Sequence, residues 1–267
     1  MVKPDDTVAE IYPQLAAALR ANRPVGLATV IEGPRLGAKL LVDETGTVAG
    51  TLGNPHLDAV VGRDATGELA SGTSTTRHYG ASGEARERTV SVFIESFVAP
   101  PQMIIFGAVD FTAALATAAK FLGFFVAVCD ARTVFATPRR FPMADVVVNE
   151  WPDRYLAEVG PTLGPRDAIC VLTHDHKFDI PAITAACATA VGYLGAMGSR
   201  RTHQARVELL VEAGLGEDDL ARIMAPIGLD IGSRTPEETA VSICAEIIAA
   251  RTHRAGPSLR DGTGPIH

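Results

Sequence analysis

The chain has 267 residues, 47% hydrophobic and 21% charged, a composition that folds and excludes disorder over most of its length. Lys plus Arg total 24 against 31 Asp plus Glu, a net charge of −7. This argues against a general nucleic-acid binder, because neutralising phosphates needs a basic surplus. No apolar run approaches the roughly 18 residues that read as a membrane span, and the opening MVKPDDTVAE lacks the apolar stretch of a secretory signal, so a cytoplasmic protein is expected.

The first hundred residues read as a small α+β domain, residues 1–98. A helix is expected over Thr7–Arg20, with Thr7 and Glu10 as a capping box, or starting at Pro13 because proline interrupts a helix. Short runs rich in β-formers follow at Val25–Ile31, Ala38–Val42 and Val48–Leu52, punctuated by Gly33-Pro34 and Thr45-Gly46. A helix over Asn54–Ala65 and strands at Thr73–Tyr79 and Arg88–Phe97 complete the domain. Pro100-Pro101 is a plausible linker.

From residue 102 to 250, apolar runs alternate with helical patterns. Strands are expected at Met103–Phe106, Phe124–Cys129, Asp145–Val148, Ala168–Leu172 and Val191–Ala196, with helices such as Thr112–Leu122 and Ser199–Glu212 between them. Pro181 is read as opening the helix after the fourth strand. The last helix is expected from Thr235, with Pro236 at its first position and Glu238 closing a capping box. Continuous apolar strands separated by helices imply a mostly parallel sheet covered on both faces, so the fold class is α/β: a Rossmann-like domain preceded by the smaller α+β domain. Residues 251–267 are expected to form a mobile tail. Cys129, Cys170, Cys187 and Cys244 show no CxxC spacing and read as buried reduced thiols, which excludes a structural zinc site.

In such a sheet ligands bind beyond the carboxyl ends of the strands. After the first strand stands Gly107-Ala108-Val109-Asp110-Phe111-Thr112. A dinucleotide fingerprint requires glycine at 107, 109 and 112; only Gly107 is present, and Val109 should obstruct a pyrophosphate. Asp130 stands where an acid would hold a ribose 2′-hydroxyl. A nucleotide site and a framework without NAD both stay open, and NAD is expected to bind weakly or not at all. His174-Asp175-His176 admits three readings: a metal site completed by Asp175 or Asp179, contact to another ligand, or plain loop with Asp179 capping the helix at Pro181. Gly198-Ser199-Arg200-Arg201 combines a tight turn, a helix cap and two guanidinium groups, the pattern of an anion clamp. Asp230 is expected to line the same crevice as His174 and Asp175. In the first domain, Arg35 and Lys39 flank a tight turn at Gly37, either a simple hairpin or a second anion contact.

These stretches also carry a resemblance. Leu172–Asp179, Gly195–His203, Ala225–Gly232 and Arg234–Glu238, together with Gly37–Val42 and Gly50-Thr51, resemble the XdhC/CoxI family, accessory proteins for xanthine dehydrogenase and carbon monoxide dehydrogenase. The resemblance implies a maturation factor that carries the molybdenum cofactor (molybdopterin) without using it, helps its sulfuration and delivers it to an apo molybdenum hydroxylase. It also admits a cysteine desulfurase and self-association as partners. The sequence departs from the family pattern at Val109 and Thr112 and over Gly53–Asp58. The cofactor-binding candidates are therefore Gly107, Asp130, His174, Asp175, Gly198, Ser199, Arg200, Arg201, Asp230, Arg35 and Lys39, with no catalytic residue and no metal assigned. A nucleotide-dependent oxidoreductase and an interaction protein that has lost the ligand remain the alternatives.

Overall fold

The computed structural model describes residues 6–261. The chain divides into two units, residues 1–99 and 100–267. In the first, strands β1 (Val25–Glu32), β2 (Lys39–Asp43), β3 (Gly46–Thr51), β4 (Thr75–Tyr79) and β5 (Val90–Phe97) form an antiparallel sheet in the order β3-β2-β1-β5-β4. Helix α1 (Asp6–Arg20) lays Ile11, Leu15 and Ala18 on Val25, Leu27 and Leu41. Helix α2 (Pro55–Ser71) lays Leu57, Val61 and Ala65 on Ala28, Val30 and Ile94, the residues that alternate to the opposite face. The helical run begins at Asp6 and passes through Pro13. Thr7 is therefore inside the helix and is not its cap, and Pro13 does not open it; the apolar spacing 11, 15, 18 anchors the helix across the proline. Asn54 caps α2, its side chain accepting from the His56 amide at 2.9 Å.

The second unit holds β6 (Gln102–Phe106), α3 (Asp110–Phe121), β7 (Phe125–Cys129), β8 (Val146–Val148), α4 (Pro152–Val159), β9 (Ala168–Val171), α5 (His176–Cys187), β10 (Tyr193–Ala196), α6 (Arg200–Glu212), α7 (Glu217–Ala221), β11 (Ile223–Met224) and α8 (Pro236–Arg251). All six strands run parallel, in the order β11-β10-β9-β6-β7-β8. In sequence terms this is the 3-2-1-4-5-6 order of the doubly wound fold, with its switch point between β6 and β9. Alternation along the strands feeds two cores. Met103, Ile105, Val126 and Val128 face Leu115 of α3 and Ile243 of α8. Ile104, Phe106, Ala127 and Ile169 face Leu156 of α4, Ile183 of α5 and Leu210 of α6. The expected capping box of α8 is present: Thr235 accepts from the Glu238 amide at 3.2 Å and Glu238 accepts from the Thr235 amide at 3.1 Å.

Pro181 lies inside α5 and does not open it. Asp175 caps that helix, accepting from the Lys177 amide at 3.1 Å, and Asp179 is a buried member of its first turn. Burial of Phe178, Asp179, Ala182 and Ile183 on the sheet outweighs the one helical bond that proline removes. Of the expected tail, Arg251 ends α8 and Leu259–Asp261 form a short 3-10 turn; residues 262–267 lie outside the described residues. No helix among the described residues is long and apolar enough to cross a membrane.

Candidate functional site

The loops leaving β6, β7, β9 and β10 gather at the carboxyl edge of the parallel sheet. Gly107 has φ +108°, and a Cβ there would stand 2.6 Å from Thr173 Cγ2. Only glycine lets the β6 and β9 loops approach so closely at the switch point. The amides that would cradle a pyrophosphate are turned inward. Ala108 donates to Asp130 Oδ2 at 2.8 Å, and Val109 donates to Thr112 Oγ1 at 3.3 Å.

Asp130 is saturated. Besides Ala108 it accepts from the Arg132 amide and Nε, both at 2.9 Å, and from Arg132 Nη2 at 2.7 Å. Burial pushes its carboxyl up, but the Arg132 bonds, the Ala108 amide and the guanidinium charge together hold it below the ordinary aspartate value. A carboxylate offers about four acceptor directions. Here all are used to brace the glycine loop and Arg132, which leaves none for a ribose hydroxyl.

His174 and Asp175 are exposed, and His176 is the first residue of α5. The segment is therefore not extended through both histidines, and the same-side geometry expected of a metal pair is not formed. Among the described residues no group of three His, Cys, Asp or Glu could hold a metal ion. Asp230 is exposed in the loop between β11 and α8, and among the described residues no hydrogen bond or ion pair joins it to His174 or Asp175. Arg35 and Lys39 belong to the first unit, where Lys39 Nζ donates to Thr29 Oγ1 at 2.9 Å and Arg35 lies against Gly53. The Gly50–Asp58 stretch closes on itself: Asp58 accepts from Thr51 Oγ1 and the Leu52 amide, both at 2.6 Å.

The start of α6 is built differently. Gly198 has φ +145°, Ser199 caps the helix by accepting from the Thr202 amide at 3.1 Å, and no acid stands in the first turn. Arg200 and Arg201 are exposed there. Beneath them sits a residue that sequence reasoning missed. Arg206 is fully buried, its Nη2 donating to Asp179 Oδ2 and to the Met197 carbonyl, both at 2.8 Å. Thr173 donates a short hydrogen bond to the other oxygen of Asp179. This network ties the β9 loop, α5 and the β10 loop together. Arg206 Nε and Nη1 and His203 Nδ1 are buried with no partner among the described residues. Burial, and then the Arg206 charge, lower the His203 pKa. The floor of this loop thus holds a charge-balanced Arg206–Asp179 pair with three buried ring or guanidinium nitrogens that have no partner among the described residues, while the cations exposed above it are Arg200 and Arg201.

The four cysteines are buried and unpaired. Burial pushes the Cys129 thiol up to about 12 and the Cys244 thiol to about 11, so neither is a thiolate near neutral pH.

Residues 103–247 match the XdhC Rossmann domain and residues 18–80 match the XdhC and CoxI family. The chain is similar to the uncharacterized Escherichia coli protein YqeB, at 27% identity over 96% of this chain and 49% of that one. It is also similar to a Bacillus subtilis protein named as a probable xanthine dehydrogenase subunit, at 34% identity over 62% of this chain and 47% of that one. A third relative, the molybdenum cofactor insertion chaperone PaoD of Escherichia coli, is 32% identical over 38% of this chain and 32% of its own length. The chain thus spans about half, or less, of the curated relatives it matches. In fold it resembles a crystal structure from Bacillus halodurans described as a xanthine dehydrogenase, with a TM-score of 0.53 at 20% identity, over 92% of this chain and 97% of that one. With a Rossmann-domain match over more than half its length, the chain belongs to the XdhC and CoxI family.

Proposed function

We propose that this protein carries the molybdenum cofactor during maturation of a molybdenum hydroxylase. The observation that carries the reading is the start of α6, where an acid-free, Ser199-capped helix end bears Arg200 and Arg201 above the buried, under-satisfied Arg206. Its support outside the structure is the naming of two relatives, one for molybdenum cofactor insertion and one for xanthine dehydrogenase.

In this reading the α6 amides and one or both exposed arginines hold the phosphate of molybdopterin, and the dithiolene of the bound cofactor carries molybdenum for the client enzyme. Ser199 fixes the loop, Gly198 lets it turn, and the Asp179–Arg206 pair fixes where β10 delivers it. His174 and Asp175 offer polar contacts at the rim of the neighbouring β9 loop. The client apo-hydroxylase is the expected partner. The raised cysteine thiols do not favour a persulfide on this chain, so help with sulfuration would consist of presenting the cofactor to a separate desulfurase.

The test is the cofactor content of the purified protein, read as pterin fluorescence after denaturation and oxidation, together with titration of Arg200→Ala, Arg201→Ala and the double variant. A charge-assisted hydrogen bond of about 1.5–3 kcal/mol corresponds to about tenfold or more in affinity. At least one single variant is expected to lose that much. Unchanged affinity in all three rejects the clamp.

A further inference from the structure

The loop after β7 and the start of α4 build an assembly that the phosphate clamp does not use. Arg132 lies over the Phe135 ring at 4.7 Å and over the Phe178 ring at 5.5 Å. Phe178 meets Trp151 at 5.0 Å between ring centroids. Lys177 stands over both Phe178, at 4.9 Å, and Trp151, at 5.9 Å. The result is a ladder of rings and cations at the carboxyl edge of the sheet. Its outer members are open to solvent: Phe135 is 41% exposed and Trp151 36% exposed.

The two arginines are prepared for different tasks. Arg132 is bidentate to Asp130, so its charge is offset and its flat guanidinium serves as a stacking plane. Arg140 has no carboxylate partner among the described residues. Its Nη1 donates to the carbonyls of Ala108, at 3.3 Å, and Phe135, at 3.1 Å, while the group stacks on Phe135 and Phe141. Nε and Nη2 therefore remain available in the fork geometry that grips an anion. Arg132, Phe135 and Arg140 line an open cleft of 250 Å³ with Ala108, Val109 and Asp110. That is just below the roughly 300–1,000 Å³ of sites that bury a drug-sized ligand, so it suits a one- or two-ring system with its tail projecting. Asp110, in the first turn of α3, repels an anion from that helix end and leaves Arg140 as its partner.

We propose that this cleft binds a planar heteroaromatic anion, its ring stacked on the Phe135–Arg132 end of the ladder and its negative group on Arg140. Base–aromatic stacking and arginine cation–π contacts are the forces such a platform supplies. The proposal extends the reading above, since molybdopterin is one member of this ligand class, but it concerns different residues and can fail separately.

The experiment is calorimetry on the full chain with GMP and, separately, pterin-6-carboxylate, with guanosine and inorganic phosphate as the ring-only and anion-only controls. Trp151 is the chain's one tryptophan, so its emission reports on the ladder in the same titrations. At least one of the two ring-bearing anions is expected to bind and to change Trp151 emission, and which one binds tells a nucleotide from a pterin. Guanosine should bind at least about tenfold more weakly than GMP where GMP is the ligand, and phosphate alone should leave Trp151 unchanged. Phe135→Ala and Arg140→Ala should each weaken binding about tenfold or more with the circular dichroism spectrum unchanged. The Arg200→Ala, Arg201→Ala double variant should bind the same probe normally. Absence of binding by both probes at millimolar concentration overturns the proposal. So does binding that survives Phe135→Ala and Arg140→Ala, or binding that is lost in the clamp variant. Loss of cofactor affinity on changing Arg200 and Arg201, with the platform probes failing to bind, would leave the carrier reading standing and remove only this one.

Discussion

At the residue scale, Asp130 decides what the first βα turn can do. Its position after the second parallel strand was legible from spacing alone. Its partner was not, because the consequence depends on Arg132 folding back over it and on the Ala108 amide pointing inward. The folded chain holds this carboxyl below its ordinary value, burial being outweighed by Arg132 and the two amides. A group depressed in the fold stabilises above its unfolded pKa and loses that contribution as pH falls through the folded value. Urea unfolding should therefore show stability from Asp130 at pH 7 that declines below about pH 4. Asp130→Asn should cost about 1–3 kcal/mol at neutral pH and flatten that acid-side decline. A variant as stable as the parent at pH 7 would show that the brace is not needed.

At the scale of elements, the two helix starts at the sheet edge have opposite character. Helix α3 opens with Val109 and Asp110, and its loop amides are spent internally. Helix α6 opens with Ser199 and two arginines. Calorimetric titration with NAD should accordingly show no micromolar binding. Val109→Gly should not restore it, because removing the side chain leaves the Ala108 amide on Asp130. Micromolar affinity in either protein would show that the loop opens. The Ser199-capped start of α6, the α8 capping box and most strands were legible because each is written in contiguous residues. The start of α5 was misread for the same reason: Pro181 is a strong local signal, whereas the burial of Asp179 depends on Arg206, 27 residues away. The ring and cation ladder draws on three separate segments, the loop after β7, Trp151 before α4 and the first turn of α5, and no local pattern marks it.

At the scale of the whole molecule, each unit carries its own cores, and Trp151 lies in the second. Tryptophan emission should therefore follow unfolding of residues 100–267, while far-ultraviolet circular dichroism follows both units. Asp179→Ala leaves a fully buried guanidinium without its counter-ion, a change that costs about 3–5 kcal/mol. It is expected to shift the tryptophan-detected transition by that amount while part of the dichroism signal stays in place. An equal shift in every probe would mean that the two units unfold as one.

A carrier spends part of each cycle empty, between surrendering one cargo and receiving the next. Proteins whose binding loops order only around a ligand must remake those loops at every handover, and release is then slowed by the order it destroys. At the turn around Gly107 the Ala108 and Val109 amides and Asp130 are satisfied by the chain itself, so none of the bonds that hold this turn is drawn from a ligand; under the carrier reading proposed above, departure of a cargo would break none of them.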